Sequence, residues 1–507
     1  MDMTEVEKRC CVVSVSDCGT TAVSCSGVIV HPAAGVVLCP GLPFSRFLTE
    51  RRSLSTNSKC LSPQNFTKRL EIRLSLGTRK ESSKHNVCDA QLVMLVHCPE
   101  FKLAFQSAFL QNDRWSFHGD SEDEELVRNA QFLSWFAVLK TNRLADLDSG
   151  VIKWLRSSSL EKGDPVVACG SPFGSLCVDL FINTISRGII SNLTGEDNAI
   201  ILTDARCLPG TEGGGLFRVK GPDCLHFIGM IVSPFGWKAH EWIGLSLVCS
   251  VQVIFRNILS CAGAQSPLRD LQPAERDLNI STTSHRPVGY PTVCFVDSGS
   301  LWGSGVVVSP QLVLTCRHVV HEKSAVTLKF HHKRRVLTVP GDVLFSTNAT
   351  SPYDVAVVQL REPVPEALVP RMAESFSPGE SVLVVGYGGL GQTCGPSLTS
   401  GILSKTIDLN HKPVMLQTTC AVQAGASGGA VVRRHTGELL GIVSSNTRDL
   451  TAKATYPHLN FSVPVTVLQR LLHQFTATRD VDVWKDLNTT EEEVKRVWRL
   501  QDSQSKL

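Results

Sequence analysis

The 507-residue sequence lacks a strong net charge, because 50 Lys and Arg residues stand against 47 Asp and Glu residues, a formal charge of +3. So small an excess does not favour nucleic acid or an anionic membrane surface as a partner. The chain also lacks a stretch of about twenty uninterrupted apolar residues, which predicts no transmembrane helix. We therefore expect neither nucleic acid nor a membrane among its partners.

A secretory signal and closely paired cysteines are missing as well. The N-terminal segment 1–15 has no basic start followed by a long apolar run, so we do not expect secretion. The 18 cysteines are scattered, and none has CxxC spacing. This excludes zinc ribbons and thioredoxin-like motifs and favours reduced thiols. We expect no metal and no cofactor.

The C-terminal tripeptide Ser505-Lys506-Leu507 is a complete peroxisomal address of the kind that an import receptor reads. It combines a free carboxylate, a cation and an apolar side chain, which are three distinct contacts for a receptor. The sequence therefore predicts the peroxisomal matrix as the location and the import receptor as a partner.

The two halves of the chain repeat each other. GTEGGGLF at 210–217 resembles GASGGAVV at 425–432. Five further blocks match in the same order, which composition alone does not explain and which indicates a duplication. These blocks are 26–41 with 304–318, 163–174 with 379–391, 185–193 with 398–406, 225–235 with 437–447, and 246–259 with 460–472.

Short runs of Val, Ile and Leu, broken by Gly, Pro, Ser and Asn, fill these blocks. This pattern is typical of short antiparallel strands in barrels or sandwiches and predicts an all-β fold. Helical periodicity is confined mainly to segments 251–259 and 465–475, which close the two halves.

The second half contains the residue types that a serine nucleophile needs. Ser427 lies in GASGG, where small neighbours permit a tight turn. A base must take its proton, and a third group must orient that base. His318 follows one predicted strand and Asp354 opens another. The amides of Gly425 and Ser427 would face the developing oxyanion.

In chain order, LTCRHVV (314–320), DVAVVQL (354–360) and GASGGAVV (425–432) resemble trypsin-like serine proteases of the high-temperature-requirement (Deg) branch. Cys316-Arg317 and Ala430 depart from the usual motifs without removing the three side chains. No PDZ-like segment follows. The resemblance implies two tandem trypsin-like double β-barrel domains, the first degenerate, and a serine endopeptidase with His318 as base, Asp354 as orienting group and Ser427 as nucleophile.

The resemblance and the repeat together predict the domain limits. The predicted domains are a degenerate trypsin-like domain (1–260) with an insertion near 44–88, a linker (261–288), an active protease domain (289–477) and a helical tail (478–507) that ends in the address. With that address the chain resembles a processing protease of peroxisomes. This implies imported matrix proteins as substrates, including those with cleavable N-terminal targeting peptides and enzymes of fatty-acid β-oxidation.

In trypsin-like folds the base of the primary specificity pocket lies six residues before the nucleophile, which here is Ala421. A neutral pocket would leave a buried cation unpaired, and this is costly. The resemblance therefore predicts cleavage after small or medium uncharged residues.

The repeat places Leu42, Trp135 and Glu212 of the first half opposite His318, Asp354 and Ser427 of the second. The loss of all three predicts an inactive first half, kept for packing or for binding and regulation. A new catalytic role for Glu212 is the alternative, although no second acid accompanies it.

Other readings stay open at this point. The chain could be an inactive peptide-binding chaperone or scaffold, and its many thiols could indicate cysteine chemistry, although no Cys occupies a glycine-rich turn. Self-cleavage in the linker or in the insertion is a further hypothesis. A homo-oligomer is compatible with the sequence, which does not decide oligomeric state.

Overall fold

The computed structural model defines which residues can be described. They are 3–17, 21–49, 58–77, 86–109, 115–116, 132–142, 144, 150–173, 178–219, 225–234, 237–238, 241–262, 289–332, 335–388, 394–449 and 454–499. The predicted insertion near 44–88 is described in part. Most of the predicted linker 261–288, and all of Ser505–Leu507, lie outside these residues.

The chain divides into two compact units. The first comprises Met1–Gly236 and Leu245–Ile280, and the second comprises Trp237–Gly244 and Ser281–Leu507. Segment Trp237–Gly244 thus belongs to the second unit although the first half of the sequence encodes it. The domain limits expected from the sequence stay a prediction.

The N-terminal barrel of the first unit is a sheet in the order β4-β6-β5-β1-β2-β3-β8, and pairing between β6 and β8 closes the ring. Its strands are β1 (Cys10–Asp17), β2 (Val23–His31), β3 (Val36–Pro40), β4 (Cys60–Leu61), β5 (Leu70–Leu76), β6 (Asn86–His97) and β8 (Trp135–Lys140).

A second closed barrel completes this unit, in the order β10-β11-β16-β13-β12-β9. Its strands are β9 (Pro165–Gly170), β10 (Thr184–Thr194), β11 (Ile200–Thr203), β12 (Gly215–Val219), β13 (Leu225–Pro234) and β16 (Ser246–Ser250). The other described elements of the unit are the short strand β7 (Trp115–Ser116) and the α-helices α1 (Thr4–Glu7), α2 (Pro99–Ala108), α3 (Val178–Phe181) and α4 (Val251–Cys261), together with the 3₁₀-helices Leu42–Phe47, Pro63–Asn65, Ser157–Ser159 and Glu196–Asn198.

The second unit has the same plan of two closed barrels. Strands β17 to β22 form the first in the order β17-β18-β19-β22-β21-β20, and β23 to β28 form the second in the order β23-β24-β25-β28-β27-β26. The strands of the first are β17 (Val293–Asp297), β18 (Trp302–Ser309), β19 (Leu312–Thr315), β20 (Ala325–His332), β21 (Arg335–Ser346) and β22 (Ala356–Leu360). Those of the second are β23 (Ser381–Gly386), β24 (Ser397–Leu409), β25 (Lys412–Thr418), β26 (Ala430–Arg433), β27 (Leu439–Asp449) and β28 (Ala454–Pro464).

Apart from the 3₁₀-helix Val481–Leu487, the additional described elements of the second unit are a short hairpin and three α-helices. They are β14 (Trp237–Lys238), β15 (Glu241–Trp242), α5 (Arg317–Val320), α6 (Val465–Thr478) and α7 (Glu492–Arg499). In α7, the buried Trp498 donates its indole N–H to the carbonyl of Val414 (3.0 Å). This bond ties the C-terminal helix to the second barrel.

The barrels follow from the sequence pattern. β-branched side chains suit the pleated, half-buried surface of a strand, and closure leaves no edge to protect. In the first barrel of the second unit, Val296, Val307, Val313 and Val358 are fully buried in one core. The predicted fold class, an all-β protein of two tandem double barrels with short C-terminal helices, is confirmed. None of the helices in the described part of the chain has the length and apolar character needed to span a bilayer.

Candidate active site

Two neighbouring strand ends bring His318 and Asp354 together. Strands β19 and β22 pair antiparallel, with Thr315 opposite Ala356, so the end of one meets the start of the other. His318 lies just after β19, in α5, and Asp354 lies just before β22. His318 Nδ1 is 2.5 Å from Asp354 Oδ2, and the backbone amide of His318 donates to Asp354 Oδ1 (3.1 Å).

The Asp354 carboxylate is held in its charged form. Burial raises its pKa, but its hydrogen bond to His318 and the charges of His318 and Arg317 outweigh burial, and the pKa lies below its usual value. The side chain is almost fully buried. Asp354 is therefore an ionised acceptor in position to orient the imidazole.

Arg317 and Cys316, the two departures from the family motif, both have structural contacts. Arg317 Nη1 donates to the carbonyl of Asn348 (2.5 Å) and to Thr347 Oγ1 (3.3 Å), which fixes the loop that leads to Asp354. The buried Cys316 donates to the carbonyl of Val443 (3.2 Å). Sequence patterns gave no indication of either contact.

The glycines around Ser427 are required by the turn. Gly425 has φ +92°, and an added Cβ would lie 2.0 Å from the Trp302 ring; Gly428 has φ +85°, and its Cβ would lie 2.0 Å from the carbonyl oxygen of Ser304. Only glycine fits such positions. Ser427 itself is fully buried, and its hydroxyl donates to the carbonyl of Ser444 (3.3 Å).

Ser304 positions this turn and was not singled out from the sequence. Its hydroxyl donates to the carbonyl of Gly425 (2.7 Å) and accepts from the amide of Tyr387 (2.8 Å), and its own amide donates to the carbonyl of Ser427 (2.8 Å). The sequence does contain a signal for this role, because the first pair of matched blocks begins with Ser26 in one half and Ser304 in the other.

Ala421 is buried in the strand-to-turn segment ahead of Ser427. Its carbonyl accepts from Thr399 Oγ1 (2.8 Å). Beside it, the buried Asn460 donates to the carbonyl of Cys420 (2.8 Å) and accepts from Thr418 Oγ1 (2.6 Å). The carboxamide of Asn460 is thus hydrogen-bonded at both of its ends, and the three side chains Thr399, Thr418 and Asn460 beside Ala421 are uncharged.

The first unit repeats the turn with the same hydrogen bonds. The hydroxyl of Ser26 donates to the carbonyl of Gly210 (2.9 Å) and accepts from the amide of Ser171 (2.8 Å), and the amide of Ser26 donates to the carbonyl of Glu212 (2.8 Å). Gly210 (φ +95°) and Gly213 (φ +87°) match the two strained glycines of the second unit. Glu212 therefore stands at the position of Ser427.

The Glu212 carboxylate occupies its own turn. Gly210 N donates to Glu212 Oε2 (2.6 Å), and the amide of Glu212 also bonds to the carboxylate. These two amides correspond to those of Gly425 and Ser427. Burial raises the pKa of Glu212 despite these two bonds. Together with Val12, Ser24, Phe173 and other residues, Glu212 lines an open pocket of about 210 Å³.

The other two lost positions have become apolar. β3 and β8 pair with Cys39 opposite Ala137, which is the register of Thr315 and Ala356 in the second unit. Counting outward from these pairs places Leu42 at the position of His318 and Trp135 at that of Asp354. The Trp135 ring stacks on His97 at 4.9 Å, so the site of the carboxylate is filled by an aromatic pair.

Within the described residues, the one group of side chains that could hold a metal ion is Cys316, His318 and Asp354, whose ligand atoms lie within 4.8 Å of one another. His318 Nδ1 and Asp354 Oδ2 already bond to each other, and Cys316 Sγ bonds to the carbonyl of Val443. These contacts account for the group without an ion. The absence of metal and cofactor stays a prediction.

Comparison with known proteins supports the same chemistry. The trypsin-like peptidase domain family matches residues 303–442. The chain is 37% identical to the human (Homo sapiens) peroxisomal leader peptide-processing protease, over 98% of this chain and 97% of that protein. It is 39% identical to the protein of the same name from Mus musculus, with the same coverage.

A more distant similarity is to the periplasmic pH-dependent serine endoprotease DegQ of Escherichia coli. The two are 27% identical over 34% of this chain and 36% of that protein. The chain is thus a trypsin-like serine endopeptidase, and its predicted peroxisomal location is confirmed. By its similarity along nearly its whole length, it belongs to the family of peroxisomal leader peptide-processing proteases.

Proposed function

We propose that the chain removes N-terminal leader peptides from imported peroxisomal matrix proteins, with His318, Asp354 and Ser427 as its catalytic triad. The observation that carries the triad is the 2.5 Å contact between His318 Nδ1 and a buried Asp354 whose pKa is lowered. A proton on Nδ1 that is shared with this carboxylate leaves the lone pair on Nε2, where a base must accept the serine proton.

In the first half-reaction Ser427 Oγ attacks the scissile carbonyl carbon while His318 Nε2 takes the hydroxyl proton. The amides of Gly425 and Ser427 bind the oxyanion of the tetrahedral intermediate. The C–N bond then breaks as His318 gives its proton to the leaving amine, which leaves an acyl-enzyme. Asp354 stays ionised throughout and stabilises the imidazolium.

Water completes the cycle. His318 takes a proton from water, whose oxygen attacks the ester carbon, and the Ser427 Oγ–carbon bond breaks. The proton returns to Ser427, and the new carboxylic acid is released. These reaction steps need no metal or organic cofactor.

The proposed substrates extend the printed names of the relatives. Matrix-protein precursors with cleavable N-terminal targeting peptides are the first class, and enzymes of fatty-acid β-oxidation are the second. The buried Ala421, with the uncharged Thr399, Thr418 and Asn460 beside it, supports cleavage after small or medium uncharged residues. Self-cleavage within 261–288 or near 44–88 and recognition of Ser505–Leu507 by the import receptor complete the proposal.

The test has two steps. A fluorophosphonate probe should label the folded wild-type chain once and should not label Ser427→Ala. Wild type, but not this variant, should then convert a matrix-protein precursor to a product whose new N-terminus follows an uncharged residue, read by mass spectrometry. Labelling of the variant would exclude Ser427 as the nucleophile, and a labelled enzyme that leaves every leader peptide intact would overturn the substrate class.

A further inference from the structure

Segment Trp237–Gly244 is encoded in the first half of the sequence but folds as part of the second unit. Its start is a two-strand hairpin in which Trp237 pairs with Trp242 and Lys238 with Glu241. Ile243 and Gly244 follow the hairpin, and Ile243 is buried. The second unit thus contains eight residues that its own copy of the repeat does not supply.

The side chain of Gln423 is hydrogen-bonded to this segment. Its side-chain Nε2 donates to the carbonyl of Ile243 (2.9 Å), and the whole residue is buried. Gln423 lies four residues before Ser427, and its own carbonyl accepts from the amide of Ala426 (3.0 Å) at the start of the turn. A buried amide rarely stays unpaired, so this bond constrains both of its ends.

Gly244 lies against the predicted base of the specificity pocket. It has φ +71°, and an added Cβ would lie 3.3 Å from each of Ala421 Cβ, His458 Nε2 and Pro457 Cγ. His458 is fixed in turn, because its Nδ1 lies 3.2 Å from the carbonyl oxygen of Thr419. The backbone at Gly244 therefore closes one side of the neighbourhood of Ala421.

The first unit shows that the turn does not need this amide. There the amide of Thr211 donates to the carbonyl of Leu208 (3.0 Å), as Ala426 donates to Gln423 in the second unit. Leu208 thus holds the position of Gln423. Its side chain is 47% exposed and has no donor. The Gln423 side chain accordingly has a role beyond forming the turn.

We propose that Gln423 is a positioning residue for substrate specificity: it holds Ile243–Gly244 as one wall of the primary pocket, and this wall limits the size of the residue before the scissile bond. The proposal rests on the proposed function of Ser427 and Ala421. It gives the first half of the sequence a direct part in substrate selection.

The first test is Gln423→Met, which keeps the length of the side chain and removes the donor. The buried carbonyl of Ile243 would lose its partner, so the wall should move outward. We expect kcat/KM for peptides with a small residue before the scissile bond to fall about ten-fold, in line with an unpaired buried acceptor. For peptides with a large uncharged residue before the scissile bond, kcat/KM should fall only slightly or should rise.

The second test is Gly244→Ala, which adds a methyl group towards Ala421 at a φ of +71° that strains alanine; we expect lower stability together with a shift of the preference to smaller residues. The control is Leu208→Ala, which changes the first-unit residue at the position of Gln423. It should leave the preference for the residue before the scissile bond unchanged. A uniform loss of kcat/KM across all peptides, or an unchanged profile in both variants, would overturn the proposal. If Gln423→Met does not fold, Gly244→Ala alone decides. A wild-type chain that hydrolyses no peptide contradicts the proposed function instead.

Discussion

At the scale of single residues, the site is defined by how each polar atom is paired. Asp354 is buried yet ionised, because His318 and Arg317 face it. The pKa of Glu212 is shifted in the opposite direction. Burial raises it by more than the two backbone hydrogen bonds lower it. Asp354 thus accepts hydrogen bonds from His318 in its ionised form, whereas the Glu212 carboxylate accepts them from the two amides that match those of Gly425 and Ser427.

Glu212 gives a pH-dependent prediction. A carboxyl whose folded pKa is raised contributes stability that is fully present below its unfolded pKa, about 4.3, and is lost as the pH rises through the folded value. Glu212→Gln keeps the neutral form at every pH. We expect its thermal unfolding temperature to match wild type below about pH 4 and to exceed it increasingly as the pH rises.

Calorimetry across this pH range measures the effect, and peptide hydrolysis serves as the control, because Glu212 lies outside the proposed catalytic group. A constant difference in unfolding temperature at all pH values would contradict the assigned direction of the pKa shift.

At the scale of elements, both units place a glycine turn between two barrel strands. The turns share their φ angles and their serine support, so the same turn backbone carries Ser427 in one unit and Glu212 in the other. The same glycine substitution in each turn can therefore distinguish an effect on the turn backbone from an effect on the proposed reaction.

Gly425→Ala and Gly210→Ala form that pair. An alanine at φ near +90° is strained by about 1–2 kcal/mol, and at Gly425 its Cβ also meets the Trp302 ring. We expect Gly425→Ala to reduce kcat/KM about 100-fold or more through the misplaced oxyanion amide. Gly210→Ala, whose Cβ would lie 2.6 Å from the amide nitrogen of Phe173, should lower stability and leave kcat/KM unchanged.

Steady-state hydrolysis and thermal unfolding of both variants check this pair. Equal losses of activity in the two would show that the first turn contributes to the reaction, contrary to the assignment.

Much of this arrangement was predictable from elements with strong patterns. The glycine spacing around Ser427 predicts a turn, and short broken runs of Val, Ile and Leu predict barrels or sandwiches, with His318 after one strand and Asp354 at the start of another; that these two strands pair was not predicted. Both helices predicted to close the halves are present as α4 and α6.

Other contacts depend on tertiary packing that local patterns do not encode. Gln423 and Ile243 are 180 residues apart. The return of the Glu212 carboxylate onto its own turn depends on a side-chain rotamer, and the contacts of Arg317 depend on a loop whose sequence is unremarkable.

At the scale of the whole molecule, the proposed self-cleavage concerns the linker. Residues 261–288 combine polar residues and proline without an apolar period, a composition that predicts a linker. We expect purified wild type to yield fragments whose new N-termini fall within 261–288 or near 44–88, whereas Ser427→Ala stays at full length. Mass spectrometry of both proteins after identical incubation decides this. Identical fragments from the variant would assign the cleavage to another protease.

The position of segment Trp237–Gly244 has a consequence for how this gene can change. A coding sequence divided within the predicted linker would separate Ser427 from eight residues of its own unit, since these are translated before residue 245. The two copies of the ancestral domain can drift apart in sequence, as Leu42, Trp135 and Glu212 record. They are no longer independent modules, because deletion of the first half of the sequence would also remove Trp237–Gly244 from the second unit.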